Sequence, residues 1–187
     1  MSRPAVFIDR DGTIIAEKVY LSDPDGVELI PGTIDALQEL RAAGFLLVVV
    51  TNQAGIARGL YAVDDYHAVA ARLEEKLAAE GIVMDATYFC PHHPDETGPC
   101  DCRKPGTGMY RAAAAELDID MAASFYIGDK ITDVQPGITL KGRGILVRTG
   151  YGAELEAEAP EGIWVVDDLR EASRVIIERL DGSHVGS

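Results

Sequence analysis

Short apolar runs alternating with helical patterns constrain this chain more than any other feature of its sequence. The runs lie at Ala5 to Ile8, Leu46 to Val50, Phe125 to Ile127, Ile145 to Val147 and Ile163 to Val166, several of them bounded by Gly, Pro or Asp, and they read as buried strands. Between them, Ile34, Leu37 and Leu40 precede Gly44, and Tyr66, Val69, Leu73 and Leu77 precede Gly81, the spacing of amphipathic helices that end at glycine. Asp64 is placed to cap the second of these helices. Tyr110, Ala113 and Leu117 mark another, and Leu169, Ala172, Val175, Ile176 and Leu180 a last. The expected fold is therefore α/β, with βα units around a mainly parallel sheet and ligands at the carboxyl ends of its strands.

Of the 187 residues, 47% are apolar and 26% charged, an ordinary globular composition with enough chain for one core without disulfide staples. No repeat, low-complexity block or Pro/Gly-rich linker argues for a second domain, so residues 1–180 are expected to form one. The small, polar tail Asp181 to Ser187, His184 included, has no apolar pattern to dock and is expected to fray. A formal net charge of −14 argues against nucleic acid or an anionic membrane as partner, because both require a basic footprint. An anionic substrate would need a locally basic pocket. No apolar run reaches transmembrane length and the N-terminus carries no signal-peptide pattern. A cytosolic monomer is expected.

The first run leads into Phe7-Ile8-Asp9-Arg10-Asp11-Gly12-Thr13. Two acids so close repel each other, and beside a strand end the pair makes sense if a divalent cation neutralises it, hard oxygen ligands being what magnesium requires. A surface turn is the plain alternative, since Asp and Gly are common turn formers. The second run closes on Thr51-Asn52-Gln53, a hydroxyl and two amides where a phosphate oxygen could be held. In Phe125-Tyr126-Ile127-Gly128-Asp129-Lys130-Ile131-Thr132-Asp133 a Gly turn again follows a strand and delivers a second pair of acids. Arg103-Lys104-Pro105 supplies positive charge, although a lysine taken singly is more often solvated than a phosphate ligand.

All three cysteines fall between Cys90 and Cys102, unlike the dispersed pattern of a secreted disulfide framework. Cys90-Pro91-His92 and Cys100-Asp101-Cys102 form two close pairs, together four soft or borderline ligands that suit tetrahedral zinc. His93 is the competing imidazole, and a reduced thiol cluster without metal is the alternative.

Taken together, Asp9-Arg10-Asp11-Gly12-Thr13, Thr51, Lys104 and Gly128-Asp129 through Asp133 resemble the four ordered motifs of the haloacid dehalogenase (HAD) superfamily. The resemblance implies a Rossmann-like three-layer sandwich and magnesium-dependent hydrolysis of phosphate esters. Asp9 would attack phosphorus and carry an aspartyl-phosphate, and Asp11 would act as general acid and then base. Magnesium would sit on the Asp9 carboxylate, the Asp11 backbone carbonyl and the Asp129 carboxylate. Thr51 and Lys104 would meet the phosphoryl oxygens, and Asp133 would orient metal-bound water or Lys104.

The segments Cys90-Pro91-His92-His93-Pro94, Cys100-Asp101-Cys102-Arg103-Lys104-Pro105 and Thr51 through Gly59 resemble, more narrowly, the histidinol-phosphatase and heptose-bisphosphate-phosphatase branch. The compact cysteine segment, Gly128-Asp129-Lys130 and Val147-Arg148-Thr149-Gly150 are more similar to its heptose-bisphosphate side. That implies a structural zinc on Cys90, His92, Cys100 and Cys102, bracing a loop that replaces a large cap domain. It implies a sugar bisphosphate substrate, in heptose synthesis for lipopolysaccharide or another surface glycan. Asn52, Arg103 and Lys104 would touch that substrate, Arg103 on the distal phosphate, with Arg58 as a further cation. Histidinol phosphate, whose ammonium and imidazole need acidic or aromatic partners, and a non-catalytic phosphate-binding role are the alternatives. Gln135-Pro136-Gly137 departs from the family's regular helix start, so the helix there is expected to begin at or just before Pro136.

Overall fold

The computed structural model describes residues 2–183. Six strands form one sheet: β1 (Ala5–Ile8), β2 (Leu46–Asn52), β3 (Ala86–Cys90), β4 (Phe125–Gly128), β5 (Arg143–Val147) and β6 (Trp164–Val166). Every pairing is parallel, in the order β3-β2-β1-β4-β5-β6. The helices are α1 (Thr33–Ala42), α2 (Ala54–Ala57), α3 (Val63–Ala79), α4 (Pro94–Thr97), α5 (Gly108–Leu117), α6 (Ile131–Thr139), α7 (Gly152–Leu155) and α8 (Leu169–Ser183). None of the described helices is long and apolar enough to cross a membrane.

The two-residue period of the strands builds a separate core on each face. Val6 and Ile8 of β1, with Leu47, Val49, Ile127 and Ile145, join a cluster completed by Leu37, Leu40, Leu77 and Ile176 from α1, α3 and α8. Ala5, Phe7, Val48, Val50 and Tyr126 face the other way, onto Met109, Tyr110 and Ala113 of α5. Phe7 stacks on Tyr126 at 5.0 Å between centroids and meets Tyr110 edge-on at 5.1 Å. Three layers result, as the HAD resemblance implies. Strand order reverses between β1 and β4, and the crevice for ligands in such sheets opens outside the carboxyl ends at that point.

Several expectations need correction. β3 is a strand although no apolar run announces it. As an edge strand it is mostly half-exposed, so Thr87, Tyr88 and Phe89 carry only β-propensity as a signal. Asp64 does not cap α3. The Asp65 carboxylate accepts the Ala62 N–H at 2.7 Å, which closes the helix start one residue further along. Nor does α6 begin at Pro136, because it runs through that residue from Ile131. Its start is fixed by Asp133, whose Oδ2 accepts the Lys130 N–H at 3.0 Å, and the proline withholds only the bond the Thr132 carbonyl would otherwise receive. The next residue, Gly137, is pressed against β5, where an added Cβ would lie 2.5 Å from the Gly144 nitrogen. Finally, α8 continues to Ser183, while 184–187, with His184, lie outside the described residues.

Candidate active site

β1 delivers Asp9, whose N–H continues the ladder by donating to Ile127 O at 2.9 Å. β4 ends in Gly128 and hands on Asp129, and the first turn of α6 presents Asp133. Ligand oxygens of these three buried acids lie within 4.8 Å of one another. Lys104 comes to them from the loop after the cysteines. Its Nζ donates to Asp9 Oδ1 at 2.7 Å and to Val50 O at 2.6 Å, and lies 2.8 Å from Asp133 Oδ1. All three ammonium protons are thus used. Burial works against that charge, but Asp133 and Asp9 outweigh it and hold the Lys104 pKa above the ordinary lysine value.

Asp129 has no exposed surface, and Gly12 and Gly150 enclose it. Both glycines have positive φ, and a Cβ on either would fall 2.2 or 2.1 Å from Asp129 Oδ2. That oxygen accepts the Tyr151 N–H at 2.9 Å, whereas Oδ1 has no hydrogen-bond partner. Burial, reinforced by Asp9 and Asp133, pushes the Asp129 pKa up to about 8. Burial also pushes Asp9 up to about 7, against the attraction of Lys104. When all are ionised, the five linked carboxylates Asp9, Asp11, Glu17, Asp129 and Asp133 outnumber their cations Arg10, Lys104 and Lys130 by two charges. An orphaned carboxylate oxygen and two surplus negative charges fit a hard divalent cation.

Asp11 stands outside that trio. Its carboxylate takes Arg10 Nε at 3.0 Å, Arg10 Nη2 at 3.1 Å and Gln53 Nε2 at 3.0 Å. Gln53 Nε2 also donates to Thr51 Oγ1 at 2.8 Å. Asn52, expected on the substrate, uses both ends of its amide on the Lys104 backbone, at 3.0 and 3.2 Å. Arg103 donates to His92 O at 3.1 Å. All of these but His92 line a cavity of about 660 Å³ together with Lys18, Tyr61, Lys130 and Tyr151. Arg58 is absent from that lining. Its guanidinium instead meets the Tyr20 hydroxyl and His93 Nε2.

Cys90, His92, Cys100 and Cys102 do come together. All four ligand atoms lie within 4.8 Å of one another, and five of the six separations among the free thiols and His92 Nδ1 are 3.0 to 3.7 Å, near the edges of about 3.5–3.8 Å in a zinc tetrahedron with three Zn–S bonds and one Zn–N bond. His93 is not among them, and its Nδ1 accepts the Asp95 N–H at 3.3 Å to cap α4.

A model of the HAD-hydrolase-like family matches residues 101–172. The D-glycero-beta-D-manno-heptose-1,7-bisphosphate 7-phosphatases of Yersinia pestis and Escherichia coli K12 are 43% and 42% identical to this chain, over 95% and 94% of it and 97% and 94% of theirs. The chain belongs to the HAD phosphatases. A solved relative, the D,D-heptose 1,7-bisphosphate phosphatase of B. bronchiseptica complexed with magnesium and phosphate, aligns with a TM-score of 0.86 at 34% identity, over 94% of this chain and 99% of that one. As a HAD phosphatase the chain is an enzyme that hydrolyses phosphoric monoesters. Sequence reasoning missed Tyr61, Tyr151 and Glu17, assigned no role to Arg10 or Lys130, and read Gln53 as an amide for a phosphate oxygen, whereas its amide is taken up by Asp11, Thr51, Arg10 and Tyr61. Arg10, Gln53 and Lys130 stand inside the quoted motifs, which was a usable signal, whereas nothing in the sequence marks Tyr61.

Proposed function

We propose that this HAD phosphatase hydrolyses the C7 phosphate ester of D-glycero-D-manno-heptose 1,7-bisphosphate, using magnesium and carrying a structural zinc. Arg103 carries the substrate reading. It lines the cavity shared by Asp9 and Lys104, and no carboxylate of the described residues lies within ion-pair distance of it. An uncompensated guanidinium in a chain of net charge −14 supports a second anionic group on the substrate, which Arg can grip bidentately. The named relatives and the cavity's size, within the usual range for small-molecule sites, support the same reading.

Asp9 forms a bond to phosphorus as the bond to the C7 oxygen breaks, and Asp11 passes its proton to that oxygen. Water then attacks the aspartyl-phosphate and gives a proton to Asp11, releasing phosphate and restoring both groups. Thr51 and Lys104 hold the transferred phosphoryl oxygens, and Asp133 keeps Lys104 aimed at Asp9. Magnesium, on the Asp9 and Asp129 carboxylates and the Asp11 carbonyl, would neutralise phosphoryl charge. Zinc on Cys90, His92, Cys100 and Cys102 would brace the loop that presents Arg103. Free thiols in metal-binding pairs support a reducing compartment, the cytosol, and the heptose 1-phosphate left after hydrolysis would serve nucleotide-activated heptose synthesis for lipopolysaccharide or a related glycan.

The test is phosphate release across sugar bisphosphates, histidinol phosphate and aryl phosphates. Arg103→Ala should lower kcat/KM on the heptose bisphosphate about a hundredfold, from roughly 2–3 kcal/mol of lost charged hydrogen bonding, with a far smaller loss on an aryl phosphate. Equal losses would put Arg103 at the reacting group. Wild-type preference for histidinol phosphate would overturn the substrate reading.

A further inference from the structure

The Asp11 carboxylate is gripped on one side and open on the other. A carboxylate offers about four lone-pair sites. Arg10 Nε and Gln53 Nε2 fill Oδ2, while Oδ1 receives only Arg10 Nη2. Behind this first grip stands a second. Gln53 Oε1 accepts Arg10 Nη2 at 3.1 Å and the Tyr61 hydroxyl at 2.6 Å, and its Nε2 serves both Asp11 and Thr51. All four hydrogen-bonding capacities of the amide are therefore occupied, which fixes its orientation.

Each partner is itself buried and packed against a ring or backbone. Arg10 is 2% exposed and lies over the Tyr66 ring. Tyr61 is buried, its ring packed so closely on Gly55 that an added Cβ would lie 2.1 Å from it. Burial pushes its pKa up to about 12, so the hydroxyl keeps the proton it donates. One saturated amide thus sets the distance between Asp11 and the Thr51 hydroxyl.

We propose that Arg10, Gln53 and Tyr61 are positioning residues that orient the Asp11 carboxylate and leave Oδ1 as the one atom that exchanges a proton with the leaving oxygen and then with water. The inference rests on the acid/base reading of Asp11. In the first step the proton moves from Oδ1 to the leaving oxygen as the phosphorus–oxygen bond breaks. In the second it returns to Oδ1 from the attacking water. A misaligned Asp11 should harm most the substrates whose leaving groups need protonation.

The test measures kcat/KM for Asp11→Asn, Tyr61→Phe, Gln53→Met and Tyr61→Phe/Asp11→Asn on an alkyl phosphate and a graded series of aryl phosphates, after circular dichroism confirms folding. Tyr61→Phe keeps the ring and its packing, so it remains informative if Gln53→Met does not fold. It should lose about tenfold on the alkyl phosphate and less than about twofold on the aryl phosphate with the most acidic phenol. Gln53→Met should show the same gradient more steeply, and Tyr61→Phe should add no loss once Asp11 is Asn. Tyr61→Phe losses that are absent, uniform across leaving groups, or undiminished in the Asp11→Asn background overturn the inference. A uniform loss for Asp11→Asn itself would instead sink the acid/base reading, and with it the basis of the proposal.

Discussion

Asp129 leaves no space for error at the residue scale, because two backbones from opposite ends of the chain touch its carboxylate. Gly150→Ala places a methyl group on Asp129 Oδ2 and forces an alanine to a φ of 56°. Gly44 has a positive φ too, yet nothing lies within 4 Å of a Cβ there, so Gly44→Ala isolates backbone strain of about 1 kcal/mol. We expect Gly44→Ala to retain activity with a small drop in Tm, and Gly150→Ala to lose magnesium affinity and turnover by at least about a hundredfold. Calorimetric titration with magnesium and a turnover assay would check this, and equal behaviour of the two variants would refute the cradle. The glycines could be read as turn formers from sequence. That they face each other across one carboxylate could not, since 137 intervening residues separate them and only the β1–β4 and β4–β5 pairings bring them together.

At the scale of elements, the segment from the end of β3 to the start of α5 is the least conventional. It holds the short α4, and four side chains converge in it on a point fit for zinc. His92→Ala should abolish bound zinc in metal analysis, lower Tm and raise KM for the bisphosphate, because Arg103 is tethered to the His92 carbonyl. His93→Ala should keep zinc, its ring being engaged by Arg58 and the start of α4. Zinc retained in His92→Ala and lost in His93→Ala would reverse the assignment. The elements legible in the sequence were those whose burial is uniform: Ala5–Ile8 and Leu46–Val50 are continuous apolar runs because helices cover both faces. β3 was illegible because an edge strand need not be apolar, and the α6 boundary because Asp133 at the site, not Pro136, decides where that helix starts.

For the whole molecule, the crowded carboxylates become a pH dependence of stability. In an unfolded chain Asp9 and Asp129 titrate near 4, but in the fold they rise to about 7 and about 8. Between those limits the metal-free native state binds more protons than the unfolded one, so stability falls as pH rises from about 4 to about 8 and is fully present below about 4. Magnesium bound to these carboxylates would take the place of those protons. It should raise Tm more at pH 8 than at pH 5 in magnesium-depleted protein, and Asp129→Asn should flatten the difference. A shift of equal size at both pH values would contradict the charge accounting. The sheet order has a consequence for synthesis. β1 pairs with β2 at residues 46–52 and with β4 only at 125–128, so on the ribosome one edge of Ala5–Ile8 stays open for roughly 4 to 15 s at ordinary elongation rates. An open apolar edge invites pairing with a neighbouring nascent chain, and translation arrested before Phe125 leaves it permanently so. Asp9, the proposed nucleophile, is made before every other residue of the site and is enclosed only when β4 arrives.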